Sequence, residues 1–170
     1  YKNNEQYEEQ IDILDQWLKI DPNSKRAINS KKNAYANLGM DETEVDKERW
    51  EKEPSNLEYG ISYVESLMKN ENFDKSIEVS EELILLHTED KRLLKLISES
   101  YVKNLDDKKA VKYLEKLIKV DFDNVNVMID LSTAYINLYE FNKSYSWANK
   151  AINTNKMIGK AFFQRAEVLV

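Results

Sequence analysis

Few residues in this sequence are able to do chemistry, and their spacing argues against a catalytic site. The chain has one histidine, His87, and no cysteine, which excludes disulfides, thiol catalysis and cysteine metal clusters. His87 follows an apolar run near the end of a predicted helix, a position typical of a structural histidine. Adjacent acids such as Glu81 and Glu82 point apart on a helix and form no acid–base pair. We predict a chain that is not an enzyme and uses no cofactor.

Metal and nucleic-acid sites are disfavoured by spacing and by charge. Asp121 and Asp123 resemble the start of a calcium loop, but Val125 occupies the place of a third oxygen ligand and the required glycine is missing. The chain has 25 Lys and Arg against 31 Asp and Glu, a net charge of −6. Because nucleic-acid phosphates need nearby cations, this balance without a long basic run argues against nucleic acid as a partner.

Composition predicts a folded and mostly helical chain. Hydrophobic residues make up 42% and charged residues 33% of the 170 residues, which is enough apolar surface for a core. There are only 3 Gly and 2 Pro, fewer than a sheet protein with many tight turns needs. The longest apolar run, Leu83 to Leu86, is too short to span a membrane. These bounds leave the compartment open.

Small and apolar residues recur along the chain at a fixed interval of 34 residues. Within one interval they fall three, four and seven residues apart, which is typical of a buried helix face, and a polar break separates two such runs. Asn72, Asp106 and Asn142 in these breaks are predicted to cap helices, and Pro22 and Pro54 stand where helices end. Each repeat is therefore predicted to be a helix pair. The recurring sets are Leu67, Tyr101 and Tyr135; Ser76, Ala110 and Ser144; and Leu83, Leu117 and Ala151.

A 34-residue repeat of helix pairs resembles the tetratricopeptide repeat (TPR) family. The match is best over residues 125–158, where Met128, Leu131, Ser132 and Tyr135 occupy the first helix. The resemblance implies an all-α fold, a right-handed α-solenoid of stacked antiparallel helix pairs. We predict one domain over residues 1–170 with about four to five repeats, and we expect a fragment of a longer protein, with both ends cut within a repeat. The repeats are 1–24 (partial), 25–56 (degenerate), 57–90, 91–124, 125–158 and 159–170 (partial).

The resemblance also implies a binding surface, because in TPR proteins the first helices of successive repeats line a concave groove that contacts peptides. Placed by the 34-residue interval, the candidate groove residues are Asn29, Asn33, Ile61, Glu65, Met68, Arg92, Lys95, Glu99, Lys103, Asn126, Ile129, Thr133, Asn137, Lys160 and Phe163. Amides pair with an extended peptide, cations attract acids, and apolar side chains form pockets. A TPR groove of the type that holds the acidic C-terminus of chaperones is disfavoured, because Glu99 and Asp130 stand where asparagines are expected.

Three functions remain open from the sequence. The first is a non-enzymatic protein–protein interaction scaffold that binds a peptide or protein segment in the groove. The second is a structural spacer or self-association domain, because Phe162, Phe163 and Leu169 leave apolar surface unpaired at the C-terminal end. The third is the regulatory arm of an enzyme domain outside this sequence. The identity of the partner is not encoded in any feature above.

Overall fold

The described part of the chain is entirely helical. A computed structural model describes residues 2–155, 157 and 159–169, without the side chains of Lys2 and Asn3. No strand occurs among these residues, so the predicted all-α class is confirmed. None of their helices is both long and apolar enough to cross a membrane. The helices are α1 (Lys2–Ile20), α2 (Lys25–Asn37), α3 (Thr43–Lys52), α4 (Leu57–Lys69), α5 (Phe73–Leu86), α6 (Lys91–Lys103), α7 (Asp107–Val120), α8 (Val125–Asn137), α9 (Phe141–Thr154) and α10 (Gly159–Glu167).

The chain divides into two compact units, an N-terminal unit of residues 1–66 and a C-terminal unit of residues 67–170. The boundary lies within α4. In the N-terminal unit α2 packs on α1 and α3, and in the C-terminal unit each helix from α5 to α10 packs on the next along the chain. Helix α8 also contacts α10, which brings two first helices of successive repeats together.

Short polar side chains start four successive helices of the C-terminal unit. Asn72 accepts a hydrogen bond from the backbone N–H of Lys75 (3.3 Å), and Asp106 accepts one from Lys109 (3.1 Å). Asp90 and Asn124 cap α6 and α8 in the same way. These bonds satisfy backbone donors that have no partner inside the helix. Helix α9 instead follows Glu140 without a side-chain cap; Asn142 lies inside that helix, so its predicted capping role is wrong.

The turn between the two helices of a repeat adopts a left-handed backbone in every described case. The residue in this conformation is Gly39 in the N-terminal unit (φ 72°), and Glu71, Leu105 and Tyr139 in the rest of the chain, at intervals of 34. The next backbone N–H in each turn donates back to a carbonyl five residues earlier, as from Asp106 to Tyr101 (3.0 Å). This is the Schellman arrangement that ends a helix.

The two units fill their cores differently. The C-terminal unit buries apolar side chains such as Leu93, Ile97 and Leu131 together with serine hydroxyls. The N-terminal unit buries two charged residues, Lys31 and Asp46, beside Val45. Because a buried charge is costly unless it is paired, ion pairs are part of the packing of the N-terminal unit.

Candidate peptide-binding surface

Apart from Met68 on α4, the predicted groove residues of the C-terminal unit lie on its three first helices, α6, α8 and α10. Most of them are accessible: Arg92, Lys95, Lys103, Asn126, Asn137, Lys160 and Phe163 are exposed, while Glu99 and Thr133 are half-buried. We call the accessible side of these helices the first-helix face. It combines cations, amides and one aromatic ring, as the sequence predicts.

Ile129 does not belong to this face. Its side chain is 2% exposed, because the residue turns toward the neighbouring helices, where an apolar side chain is removed from water. Its assignment to the groove is wrong for that reason. A polar substitution there would damage the core rather than test binding.

The other predicted groove residues lie in or near the N-terminal unit. Asn29 and Asn33 are exposed on α2, and Glu65 is exposed on α4. Ile61 is only 5% exposed, so its assignment to an open surface is also wrong. Met68, just inside the C-terminal unit, is half-buried, and its sulfur lies 3.2 Å from the Ser100 hydroxyl oxygen.

A charge cluster connects the three helices of the first-helix face. On α6 the Lys95 ammonium lies 3.6 Å from the Glu99 carboxylate. Asp130 of α8 interacts electrostatically with Lys160 of α10, and with Glu99 and Lys95 of α6. Four charged groups from three successive repeats therefore share one electrostatic environment.

Asp130 is the unusual member of this cluster. Burial raises the pKa of its carboxyl above the usual range; Lys160 and Lys95 act to lower it, and Glu99 raises it. The half-buried carboxylate forms no hydrogen bond or ion pair with any described residue. A poorly hydrated acceptor without a donor is stabilised by any ligand that brings one.

A second acceptor occupies the equivalent position of the next repeat. Gln164 of α10 follows Asp130 by 34 residues, and its side chain is 6% exposed with Oε1 lacking any hydrogen-bond partner among the described residues. Leu96, 34 residues before Asp130, is half-buried on α6. From the sequence, Asp130 served only as an argument against a chaperone-type groove. The same 34-residue interval places Asp130 and Gln164 at equivalent positions, but Gln164 is buried and only Asp130 is accessible on the first-helix face.

The far end of α8 is tied to the preceding repeat. The Asn137 side-chain amide donates to the Asp107 carboxylate at 3.1 Å, and Asn104 donates to Asp74 in the same way at 2.9 Å. Thr133 donates to the Ile129 carbonyl of its own helix (3.0 Å). These side-chain amides hold the helix ends together and already use part of their hydrogen-bonding capacity within the chain. Asp130, in contrast, has no hydrogen-bond partner among the described residues.

A cleft in the N-terminal unit was not foreseen from the sequence. It has a volume of about 760 Å³, and its walls include Leu18, Lys31, Val45, Arg49 and Tyr59. The Arg49 guanidinium lies 4.3 Å from the Tyr59 ring centroid. These residues come from α1 to α4 and meet only through packing, so no local pattern reports the cleft. No group of three or more His, Asp or Glu suited to a metal ion occurs within the described part of the chain.

Comparison with known proteins assigns the fold. No protein-family model and no curated protein matches this sequence, but solved structures do match it. YrrB, described as a TPR protein with an unusual peptide-binding site, matches with a TM-score of 0.72 at 13% identity, over 95% of this chain and 84% of its own. MamA 41-end from Desulfovibrio magneticus RS-1 matches at 0.68 and 16% identity, over 90% and 88%.

The TPR domain of Arabidopsis OM64 also matches, with a TM-score of 0.60 at 14% identity, over 65% of this chain and 92% of that domain. The chain therefore has a TPR-like fold, which confirms the interpretation of its 34-residue interval.

Proposed function

We propose that this chain is a non-enzymatic interaction module that binds an extended peptide segment of a partner protein on the first-helix face of its C-terminal unit. The observation that carries the proposal is Asp130, a half-buried carboxylate with no hydrogen-bond donor among the described residues, on the helix face where TPR-like repeats can bind peptides. The similarity to YrrB, which has a peptide-binding site, supports the class of ligand.

The chemistry of the face defines what the peptide presents. Asp130 lacks a hydrogen-bond donor among the described residues, so the ligand contributes N–H groups from its backbone or from an amide or cationic side chain. Lys95 and Lys160 stand on either side of Asp130 along the repeats and attract carboxylates of the same segment. Phe163, exposed on α10, supplies apolar contact beside the charges. A protein segment carries all three kinds of group, whereas nucleic acid presents mainly phosphates.

Panning a phage-displayed library of random peptides against the whole chain tests this function. We expect enriched peptides, and we expect Asp130→Ala and the pair Lys95→Glu with Lys160→Glu each to weaken their binding at least tenfold in a fluorescence-polarisation titration. Lys119→Glu is the matched control, since Lys119 is an exposed lysine on α7 outside the face.

Two results would overturn the proposal. One is a library that yields no peptide binding above background. The other is peptides whose affinity is changed equally little by Asp130→Ala, the double lysine variant and Lys119→Glu, with helicity by circular dichroism unchanged.

A further inference from the structure

The second helices α5 and α7 carry opposite charges at equivalent repeat positions. On α5 these positions are acidic, and on α7, 34 residues later, they are basic; all six side chains are exposed. The stripes are Asp74, Glu78 and Glu82 on α5, and Lys108, Lys112 and Lys116 on α7. The equivalent residues of α9, Asn142, Ser146 and Lys150, are mostly uncharged, so the alternation is confined to two helices.

These stripes are largely unneutralised within the chain. Lys108, Lys112 and Lys116 form no ion pair with any described residue, although α5 is acidic. Lys112 and Lys116 lie 5.3 and 5.4 Å from the Tyr113 ring centroid, an arrangement that orients their ammonium groups. Basic side chains held in place without counterions form a surface ready for an acidic partner.

The acidic stripe is similarly available. Asp74 accepts one hydrogen bond from Asn104 (2.9 Å), and Glu78 pairs with Lys75 of the previous turn (2.6 Å). Glu82 forms no hydrogen bond or ion pair with any described residue. Exposed pairs such as Lys75–Glu78 exchange readily for other partners because they contribute little free energy.

The two stripes share one direction and one register. Helices α5 and α7 both pack on α6 and are joined to it by short turns, so both run antiparallel to α6 and parallel to each other. Each stripe has residues spaced by four on one helix face and spans about 12 Å, at 1.5 Å per residue. Equivalent positions of adjacent repeats point to the same side of the unit.

We propose that α5 and α7 form a docking surface for a second copy of this chain. A two-fold axis parallel to the helices places α5 of one copy over α7 of the other, and α7 over α5, with all four helices in register. Asp74 then faces Lys108, Glu78 faces Lys112 and Glu82 faces Lys116 of the partner, and symmetry repeats the three pairs. A copy of this chain is the occupant because it supplies both signs of charge at the required spacing.

Such a dimer is weak and depends on salt. Exposed ion pairs are screened as ionic strength rises, while each chain carries a net charge of −6 that opposes association at very low salt. We therefore expect dimerisation at about 0.1 M salt and its loss at about 0.5 M, where the Debye length is much shorter than at 0.1 M.

Charge-reversal variants test the register as well as the surface. Sedimentation equilibrium would be measured for the wild-type chain, for an acidic variant (Lys108→Glu, Lys112→Glu, Lys116→Glu) and for a basic variant (Asp74→Lys, Glu78→Lys, Glu82→Lys). We expect each variant alone to dimerise at least tenfold more weakly than wild type, and a mixture of the two to form heterodimers. A variant with all six substitutions keeps the wild-type net charge and regains the homodimer.

Each alternative result would overturn the proposal. A wild-type chain that stays monomeric at 0.1 M salt and millimolar concentration excludes the dimer. A dimer that persists in both triple variants uses another surface, such as the apolar C-terminal end. A six-substitution variant that folds, by circular dichroism, but stays monomeric excludes the in-register pairing.

Discussion

The N-terminal and C-terminal units pack their helices together through different kinds of side chain. In the C-terminal unit small hydroxyl side chains occupy the tight helix contacts, as where the hydroxyls of Ser132 and Ser144 lie 2.9 Å apart. In the N-terminal unit the contact between helices holds Asp46, which pairs with Lys32 and accepts from Ser66. The difference shows that a degenerate repeat keeps the helical-pair fold after its small residues are replaced, provided that the buried charges find partners.

The buried charges of the N-terminal unit are of two kinds, which differ in how far water reaches their partners. The Lys31 side chain is only 4% exposed, yet its partners Asp15 and Glu48 are 44% and 41% exposed. Asp46 is itself 1% exposed, and its Oδ1 has no hydrogen bond among the described residues. Removing Lys31 leaves carboxylates that water reaches, whereas removing Asp46 takes the ion pair from two mostly buried cations, Lys32 and Arg49.

The largest expected effect comes from Asp46→Ala in the N-terminal unit. The substitution removes the carboxylate partner of the Lys32 and Arg49 side chains, which are 22% and 15% exposed, and leaves the Lys32 ammonium with the Ser66 hydroxyl. We therefore expect a loss of about 3 kcal/mol in the free energy of unfolding. Lys31→Met is the matched control, and it should change stability by less than about 1 kcal/mol, since the apolar stem is kept. Urea denaturation followed by circular dichroism measures both. Equal losses in the two variants would show that the two charges play the same role.

At alkaline pH the tyrosines of the two units should affect stability to different extents. Burial, followed by a hydrogen bond to Glu81, raises the pKa of Tyr101, and burial with Glu115 does the same for Tyr135. An unfolded tyrosine ionises near pH 10, so above that value the unfolded state releases a proton that the folded state keeps, and stability falls as pH rises. The decline is about 1.4 kcal/mol per pH unit for each such tyrosine.

The variant Tyr101→Phe with Tyr135→Phe should therefore have a flatter stability profile from pH 10 upward than wild type. Tyr35→Phe is the comparison in the N-terminal unit. Burial raises the pKa of Tyr35, but the nearby Lys31 lowers it, so removing this hydroxyl should flatten the profile less. Thermal unfolding midpoints between pH 8 and pH 11 measure the three slopes. A Tyr35→Phe slope as flat as that of the double variant would contradict the assignment.

The hydroxyl pair of the C-terminal unit is expected to contribute less. Ser132 donates to the Ser144 carbonyl (3.0 Å) and contacts its hydroxyl, so Ser132→Ala leaves a buried group unpaired and should cost about 1 kcal/mol. Adding Ser144→Ala to the Ser132→Ala variant should lower the free energy of unfolding by less than Ser144→Ala does in the wild-type chain. Ser76→Ala is the control, because its partner Ser100 also donates to its own helix, at the Leu96 carbonyl (2.8 Å). Strict additivity of the two serine substitutions would show that the pair is not coupled.

The all-helical TPR-like fold could be predicted from the sequence, because one interval fixes several levels of structure at once. The spacing of Leu67, Tyr101 and Tyr135 also fixes the helix ends, the left-handed turns and the Tyr–Glu hydrogen bonds. The N-terminal unit was less predictable, because Lys31 and Asp46 look like surface residues in a sequence and become core residues only through long-range pairing. Spacing within a helix gives no sign of such partners.

The candidate surface was predicted in part for a related reason. The interval identifies equivalent positions of successive helices, but on a helix one residue changes the direction of a side chain by about 100°, since there are 3.6 residues per turn. Ile129 therefore turns into the core, while its neighbour Asp130 is half-buried. An apolar residue beside a charged one on a first helix is better assigned to the core, a rule that corrects Ile129 but not Ile61, which stands between Gly60 and Ser62.

The smallest expected effect concerns the left-handed turns, where the two units differ at a single equivalent position. Gly39 adopts φ 72° without steric cost, and a Cβ added there meets no atom within 4 Å. Leu105 adopts φ 60° with its side chain exposed, so it bears the penalty of an L-residue in this region without a compensating burial. Leu105→Gly should therefore stabilise the chain by about 0.5 kcal/mol, after the added entropy of an unfolded glycine is subtracted.

Gly39→Ala should destabilise it by about 1 kcal/mol for the same backbone reason, because the open space around Gly39 excludes a steric clash as the cause. Tyr139→Gly is a stricter test than Leu105→Gly. Its ring lies edge-to-face with Phe141, with centroids 6.2 Å apart, so the gain in backbone energy is offset by a lost aromatic contact. The backbone account predicts a urea midpoint above that of wild type for Leu105→Gly and a midpoint close to that of wild type for Tyr139→Gly. A Leu105→Gly variant less stable than wild type would instead mean that the Leu105 side chain stabilises the turn.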